Sequence, residues 1–263
     1  MTNPRGLLPF SSIILVDRYD KLESPFWGVK MKKDLLSVSD LSREEIEHLI
    51  EQAIIMKRED TSSFLWGRTL ALLFEKPSLR TRVSFDIAMY QLGGHAVYLS
   101  PEEVGLGRRE PVPDIARVLS RYIDGIAART FSQETLRILA ENSSLPIINA
   151  LSDLEHPCQV LSDLLTVYEK KGSLAGLILA FIGDGNNVAN SLVLAASLTG
   201  MNFRIASPPG YEIKEGILSQ ARRFAILSGS QILLTNEPYE AVKDADIVYT
   251  DVWTSMGQAA KMQ

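Results

Sequence analysis

Short apolar runs alternate with helical repeats along most of the chain, and this alternation limits the possible folds more than any other feature. Residues 69–74, 95–100, 125–128 and 146–150 read as strands. Between them Phe85, Ala88, Met89 and Leu92 recur at helical spacing, as do Ile115, Val118, Leu119, Tyr122 and Ile123. Residues 101–109 read as a polar loop, and a short helix over about 133–142 leads to the fourth strand. A further helix turns Val160, Leu161, Leu164, Leu165 and Tyr168 inward. Lys170-Lys171-Gly172-Ser173 is the best linker, and beyond it the alternation restarts. Strands are expected at 177–182, 203–206, 232–234 and 247–250, and helices at 192–199 and 213–228. Alternation of this kind predicts the α/β class, with two doubly wound domains, each a parallel sheet flanked by helices. The first would cover residues 31–170 and the second residues 171–263.

Residues 1–30 read as an upstream extension or a misplaced start. Their apolar stretch from Leu7 to Val16 is interrupted by Pro9 and followed by no clean small-residue cleavage site. Met31 opens a segment that reads better: Ser42-Arg43-Glu44-Glu45 is a capping box, and Leu41 with Ile46 suits a hydrophobic staple.

Chemistry concentrates at Ser78-Leu79-Arg80-Thr81-Arg82, where the first strand turns into a helix. Hydroxyls, free backbone N–H groups and two guanidinium groups at a helix N-terminus suit a phosphate. The same residues also suit a plain capped helix with exposed arginines, because serine is a good N-cap. Composition sharpens the choice of partner. A net charge of −5 argues against nucleic acid or an anionic membrane surface, so an anionic ligand needs a local basic pocket. No apolar run is long enough to span a bilayer. The single cysteine, Cys158, excludes an internal disulfide framework and fits a reducing cytoplasm. His48, His95 and His156, with Cys158, are scattered without metal-ligand spacing.

Five segments in order carry a resemblance. Ser78-Leu79-Arg80-Thr81-Arg82 is similar to the S-T/L-R-T-R carbamoyl-phosphate loop of the aspartate/ornithine carbamoyltransferase family. Arg129 follows a strand in the family's x-R-T/S position, and His156-Pro157-Cys158-Gln159 resembles its H-P-T/C-Q motif. Gly183-Asp184-Gly185-Asn186-Asn187 invites a dinucleotide reading. However, Val188 stands where the third glycine belongs, and no acidic residue follows the next strand at Ala206-Ser207. It resembles instead the family's G-D-x-N-N segment. Asp251-Val252-Trp253-Thr254-Ser255-Met256-Gly257 looks like the D-x-x-x-S-M-G loop of the members that use ornithine.

The resemblance implies transfer of the carbamoyl group of carbamoyl phosphate to the δ-amine of L-ornithine, giving L-citrulline and phosphate in arginine biosynthesis. Ser78, Leu79, Arg80, Thr81, Arg129, His156 and Gln159 would bind carbamoyl phosphate, with Arg80, Arg129 and His156 as the catalytic groups. Asn187, Asp251, Ser255 and Met256 would bind ornithine. Cys158 holds a variable position and is read as packing. The implied assembly is a cytoplasmic homotrimer with sites shared between subunits, and the implied reaction needs no metal or organic cofactor. Two departures accompany the match. Gly105 stands where the family usually places His or Gln before Leu-Gly, with Arg108 or Arg109 as candidate substitutes. The chain also stops at Gln263, ahead of the family's H-C-L-P motif, a further arginine and a C-terminal helix, so weak or no turnover is expected of these 263 residues. The alternatives are another acceptor (acetylornithine, putrescine, aspartate) or a non-catalytic ligand-binding module of doubly wound fold.

Overall fold

The structure is a computed structural model and describes residues 34–59, 61, 63–106 and 109–251. The chain divides into two compact units, up to Ser162 and from Asp163 onward.

The first unit opens with a 3₁₀ turn, Val38–Asp40, and the helix α1, Arg43–Met56. The expected capping box starts α1. The Ser42 hydroxyl accepts from Glu45 N–H at 3.2 Å, and the Glu45 carboxylate accepts from Ser42 N–H at 2.7 Å. Leu41 and Ile46 flank the cap and are both buried. There follow β1 Thr69–Phe74, α2 Leu79–Gln91, β2 His95–Leu99, α3 Pro101–Val104, α4 Val112–Leu119, β3 Gly125–Arg129, α5 Gln133–Asn142, β4 Ile147–Leu151 and α6 Pro157–Lys171. The four strands pair in parallel in the order β2-β1-β3-β4. Leu70 to Phe74 are all buried, as expected for a strand covered on both faces. One face of the sheet packs Ala71, Leu73, Ile126, Ala128 and Ile147 with Ala116, Leu136 and Leu139 from the helices.

The second unit repeats the plan with β5 Ile178–Ile182, α7 Asn187–Thr199, β6 Asn202–Ala206, α8 Glu215–Ser228, β7 Ile232–Thr235, α9 Pro238–Val242 and β8 Ile247–Thr250. Its parallel strand order is β7-β6-β5-β8. The two-sheet α/β architecture read from the sequence is therefore the one observed. The division between units falls within α6, while the linker read at 170–173 coincides with the end of that helix, where Gly172 takes a left-handed φ of 79°.

Some boundaries differ from the periodicity reading. Helix α7 begins at Asn187 rather than residue 192, because Asn186 caps it and its buried first turns include the polar Asn190 and Ser191. Residues 101–104 form a helical turn, not a loop, started by Pro101. Helix α4 stops at Leu119 although the apolar pattern runs to Ile123. The Ser120 hydroxyl donates to the Ala116 carbonyl at 2.7 Å there, a local bond that competes with continuing the helix. The short α9 carries no apolar periodicity and was not expected; Pro238 starts it.

Candidate active site

Ligands of open parallel sheets bind beyond the carboxyl ends of the strands, where successive connections leave in opposite directions. In the first unit that switch lies between β1 and β3, since the chain passes from β1 to β2 on one side and returns to β3 on the other. Phe74 pairs with Arg129 at the end of this ladder. One residue further, Glu75 N–H donates to the Arg129 carbonyl at 2.8 Å. The Glu75 carboxylate in turn accepts from Phe131 N–H at 2.7 Å, and Lys76 Nζ lies 4.5 Å from the centre of the Phe131 ring. Glu75 and Lys76 therefore stitch the two loops together.

Ser78 sits at the N-cap of α2 with extended backbone, but its side chain caps nothing. Its hydroxyl donates to Thr81 Oγ1 at 2.9 Å instead. The plain capping reading is thus corrected: no side chain caps the first-turn N–H groups of α2. Leu79 leaves its side chain 80% exposed, so its value here is its amide. The two arginines also separate. Arg82 lies 3.9 Å above the Tyr98 ring, whereas Arg80 is close enough to lower the pKa of Arg129.

Arg129 ends β3 at an irregularity: Ala128 pairs with Asn149, but Arg129 pairs with Leu151, so one residue of β4 is skipped. Its Nε is buried with no hydrogen-bond partner. Burial, then Arg80, lowers its pKa, and Lys76 is lowered first by burial and next by Arg129. His156, partly buried just before α6, is lowered to about 4 by burial and then by Arg129, so its imidazole is neutral at pH 7. Arg80, Arg129 and Lys76 thus form a local group of cations, with the neutral imidazole of His156 in the field of Arg129. His156 is followed by Gln159 one helical turn on. The His156 carbonyl accepts the Gln159 amide at 3.2 Å, and Gln159 is exposed.

The loop that delivers His156 rests on a buried polar network the sequence reading did not identify. Asn149 Nδ2 donates to the Leu36 carbonyl at 2.8 Å, Gln133 Nε2 donates to the same carbonyl at 2.9 Å, and the Ser152 hydroxyl donates to Gln133 Oε1 at 2.5 Å. The carboxylate of buried Glu155 accepts from Val38 N–H at 3.0 Å. Such a network is costly unless satisfied, and these bonds fix the end of β4. Cys158 is packing, as read: it is buried, its thiol donates to the Asn149 carbonyl at 3.4 Å, and burial pushes its pKa up to about 12.

In the second unit the switch lies between β5 and β8. Asn186 follows β5 and caps α7, its Oδ1 accepting from the amides of Val188 and Ala189, both at 3.0 Å. Its Nδ2 donates to Asp251 Oδ2, just past β8, at 2.9 Å. Asn187 opens α7 beside it. Gly185 is required by close approach: its amide donates to the Tyr211 carbonyl at 2.6 Å, and an added Cβ would lie 2.5 Å from the Glu212 carbonyl carbon. Ser207 ends β6 where a dinucleotide site would need an acid, and its hydroxyl donates to the Gly183 carbonyl at 2.8 Å. Ser255, Met256, Gly107, Arg108, Met31 and residues 1–30 lie outside the described residues. Gly105 has φ +55°, and Arg109 N–H donates to its carbonyl at 2.7 Å. Among the described residues no cluster of three or more His, Cys, Asp or Glu could hold a metal ion.

Residues 33–169 match the aspartate/ornithine carbamoyltransferase carbamoyl-P binding domain, and residues 175–263 match the Asp/Orn binding domain of the same family. The chain is 53% identical over 233 residues to the ornithine carbamoyltransferase of Anoxybacillus flavithermus, covering 87% of this chain and 74% of that protein. It is 50% identical over 231 residues to the Bacillus subtilis enzyme of the same name, covering 88% and 72%. Among solved structures, ornithine carbamoyltransferase from Pyrococcus furiosus superposes with a TM-score of 0.83 at 46% identity, covering 87% of this chain and 74% of that one. Two sheets whose switch points fall within two adjoining family domains leave one conclusion: the chain belongs to the aspartate/ornithine carbamoyltransferase family.

Proposed function

We propose that this protein transfers the carbamoyl group of carbamoyl phosphate to the δ-amine of L-ornithine, giving L-citrulline and phosphate. The observation that carries the reading is the cluster at the first switch point, where Arg80 and Arg129 lie in each other's field and Arg129 Nε is buried without a partner. Two guanidinium groups held together at a cost in burial and repulsion are complementary to a dianion.

In this reading Ser78, the Leu79 amide, Arg80 and Thr81 clamp the phosphate, Arg80 as a fork that lysine does not reproduce. Thr81, Arg129 and neutral His156 donate to the carbonyl oxygen and stabilise the charge that develops as the amine attacks. Gln159 binds the carbamoyl NH2. Asn187, Asp251, Ser255 and Met256 hold the amino-acid end of ornithine, so that its amine approaches in line. The carbamoyl-phosphate domain is taken as residues 31–170 and the ornithine domain as residues 171–263.

The finer proposals are a cytoplasmic homotrimer acting in arginine biosynthesis. Self-association is supported by an apolar stripe on α2, where Val83, Ile87 and Tyr90 are exposed at helical spacing. A reducing compartment is supported by the single, buried thiol.

The test is a calorimetric titration of carbamoyl phosphate together with a citrulline assay, on the parent protein and on Arg129→Ala. Losing one oxyanion-type donor costs ~10²–10³ in rate. Near-normal turnover in the variant, or no binding of carbamoyl phosphate by the parent, would sink the assignment.

A further inference from the structure

The sequence singles out Asn187 for the acceptor, yet the residue whose side chain crosses the second switch point is its neighbour. Asn186 uses every polar atom of its amide. Oδ1 takes the amides of Val188 and Ala189 at the start of α7, and Nδ2 gives a hydrogen to Asp251 Oδ2. The two capping bonds settle which way the amide faces, because only its oxygen can accept them. The NH2 group is then aimed at the end of β8. That strand end is also tied to β5 by Thr250, whose hydroxyl donates to the Ile182 carbonyl at 3.0 Å.

Capping alone does not require this residue. Ser, Thr and Asp cap a helix about as well as Asn, but none of them presents an NH2 group. Asp251 is exposed and one residue past its strand, so nothing in the backbone fixes the plane of its carboxylate. A hydrogen bond to Oδ2 fixes that plane and leaves Oδ1 to receive a ligand.

We propose that Asn186 is a positioning residue that sets the Asp251 carboxylate for the ammonium group of an α-amino acid. The inference rests on the assignment of Asp251 to the acceptor site made above. Asn186 does not touch the reacting atoms; it acts through Asp251 and, by starting α7, through Asn187.

Two variants separate this role from capping. Asn186→Ser keeps a capping oxygen and removes the NH2 donor. Asn186→Asp keeps the cap but sets a second carboxylate against Asp251. Simple charge counting makes the Asp variant the better binder of an ammonium group, whereas loss of position makes it the worse one. L-ornithine is titrated calorimetrically into each protein saturated with inorganic phosphate, with the urea unfolding midpoint and carbamoyl-phosphate affinity measured alongside. Both variants are expected to bind ornithine about tenfold more weakly, with carbamoyl-phosphate affinity unchanged. Parent-like or tighter ornithine binding in a folded variant overturns the inference and leaves the proposed function intact, as does a lowered unfolding midpoint with unchanged affinity. If the Ser variant does not fold, the Asp variant decides. A parent that binds carbamoyl phosphate but no ornithine overturns the acceptor assignment and this inference together.

Discussion

At the first switch point Arg129 lies in the field of Arg80 and its buried Nε has no hydrogen-bond partner, while at the second Asn186 and Asp251 are already hydrogen-bonded. Both sites lie beyond the carboxyl ends of adjacent parallel strands, so topology supplies the same opening twice. Side-chain chemistry sets the contrast. The first opening is stitched by Glu75 and Phe131 and leaves Arg129 Nε buried without a hydrogen-bond partner, which the proposed dianion would supply. The second is clipped by a neutral amide that orients one carboxylate, a state suited to a single ammonium group.

The largest test of that contrast lies within one pentapeptide. Arg80→Ala removes a cation from the pair and is expected to lower the rate of carbamoyl transfer by ~10²–10³, the scale found for one lost transition-state donor. Arg82→Ala removes the arginine that stacks on Tyr98 and is expected to leave the rate within about tenfold of the parent, an exposed cation–π contact contributing only ~0.5–1 kcal/mol. Equal losses in a citrulline assay would mean that the two arginines do not divide as their positions indicate.

Spacing alone did not divide the two arginines, which stand in the same motif; only the family resemblance singled out Arg80. The legible part was what periodicity and spacing encode: eight apolar strands, the Ser42 capping box, and the motif residues after β1, β3, β4, β5 and β8. Hidden from it were side-chain destinations. The Ser78 hydroxyl turns to Thr81 instead of capping, although serine before a helix favours capping on local grounds. Gln133 and Asn149 are ordinary polar residues until the fold brings both to the Leu36 carbonyl, with the Ser152 hydroxyl donating to Gln133 Oε1. Asn186 read as a loop residue because α7 announces itself by apolar spacing only from Leu192, five residues after it starts.

The second site depends on close backbone approach where the first does not, and glycine substitution exposes this. In Gly185→Ala the new Cβ would meet the Glu212 carbonyl carbon at 2.5 Å and crowd the Ile213 amide nitrogen as well, so backbone has to move. The expected loss is about 1–3 kcal/mol in urea unfolding, typical of an overpacked site, with weaker ornithine binding and intact carbamoyl-phosphate binding. Gly216→Ala in α8 meets nothing within 4 Å and is expected to stabilise by up to about 0.5–1 kcal/mol. A Gly185→Ala protein as stable as the parent would show that the 211–213 segment yields freely.

A further test concerns histidine protonation, and it belongs to the first unit alone, since His48, His95 and His156 all precede the division at Ser162. His156 is held at about 4 in the folded protein by burial and then by Arg129, against an ordinary histidine value of 6.5. Above pH 6.5 the imidazole is neutral in both states and costs nothing. As the pH falls from 6.5 towards 4 the unfolded chain takes up a proton that the folded chain refuses, so stability is lost across that window and no further below it. Compared with His156→Gln, the parent should lose stability with an extra slope approaching one proton, about 1.4 kcal/mol per pH unit. Saturating inorganic phosphate should flatten the slope if it binds beside Arg129, because a bound anion favours the imidazolium and raises its pKa. Urea unfolding of both proteins between pH 4 and 7, with and without phosphate, measures this directly. Parallel curves would mean that His156 meets solvent too freely to feel the cations beside it, and the contrast between a charged first opening and a clipped second one would then lose its titratable witness.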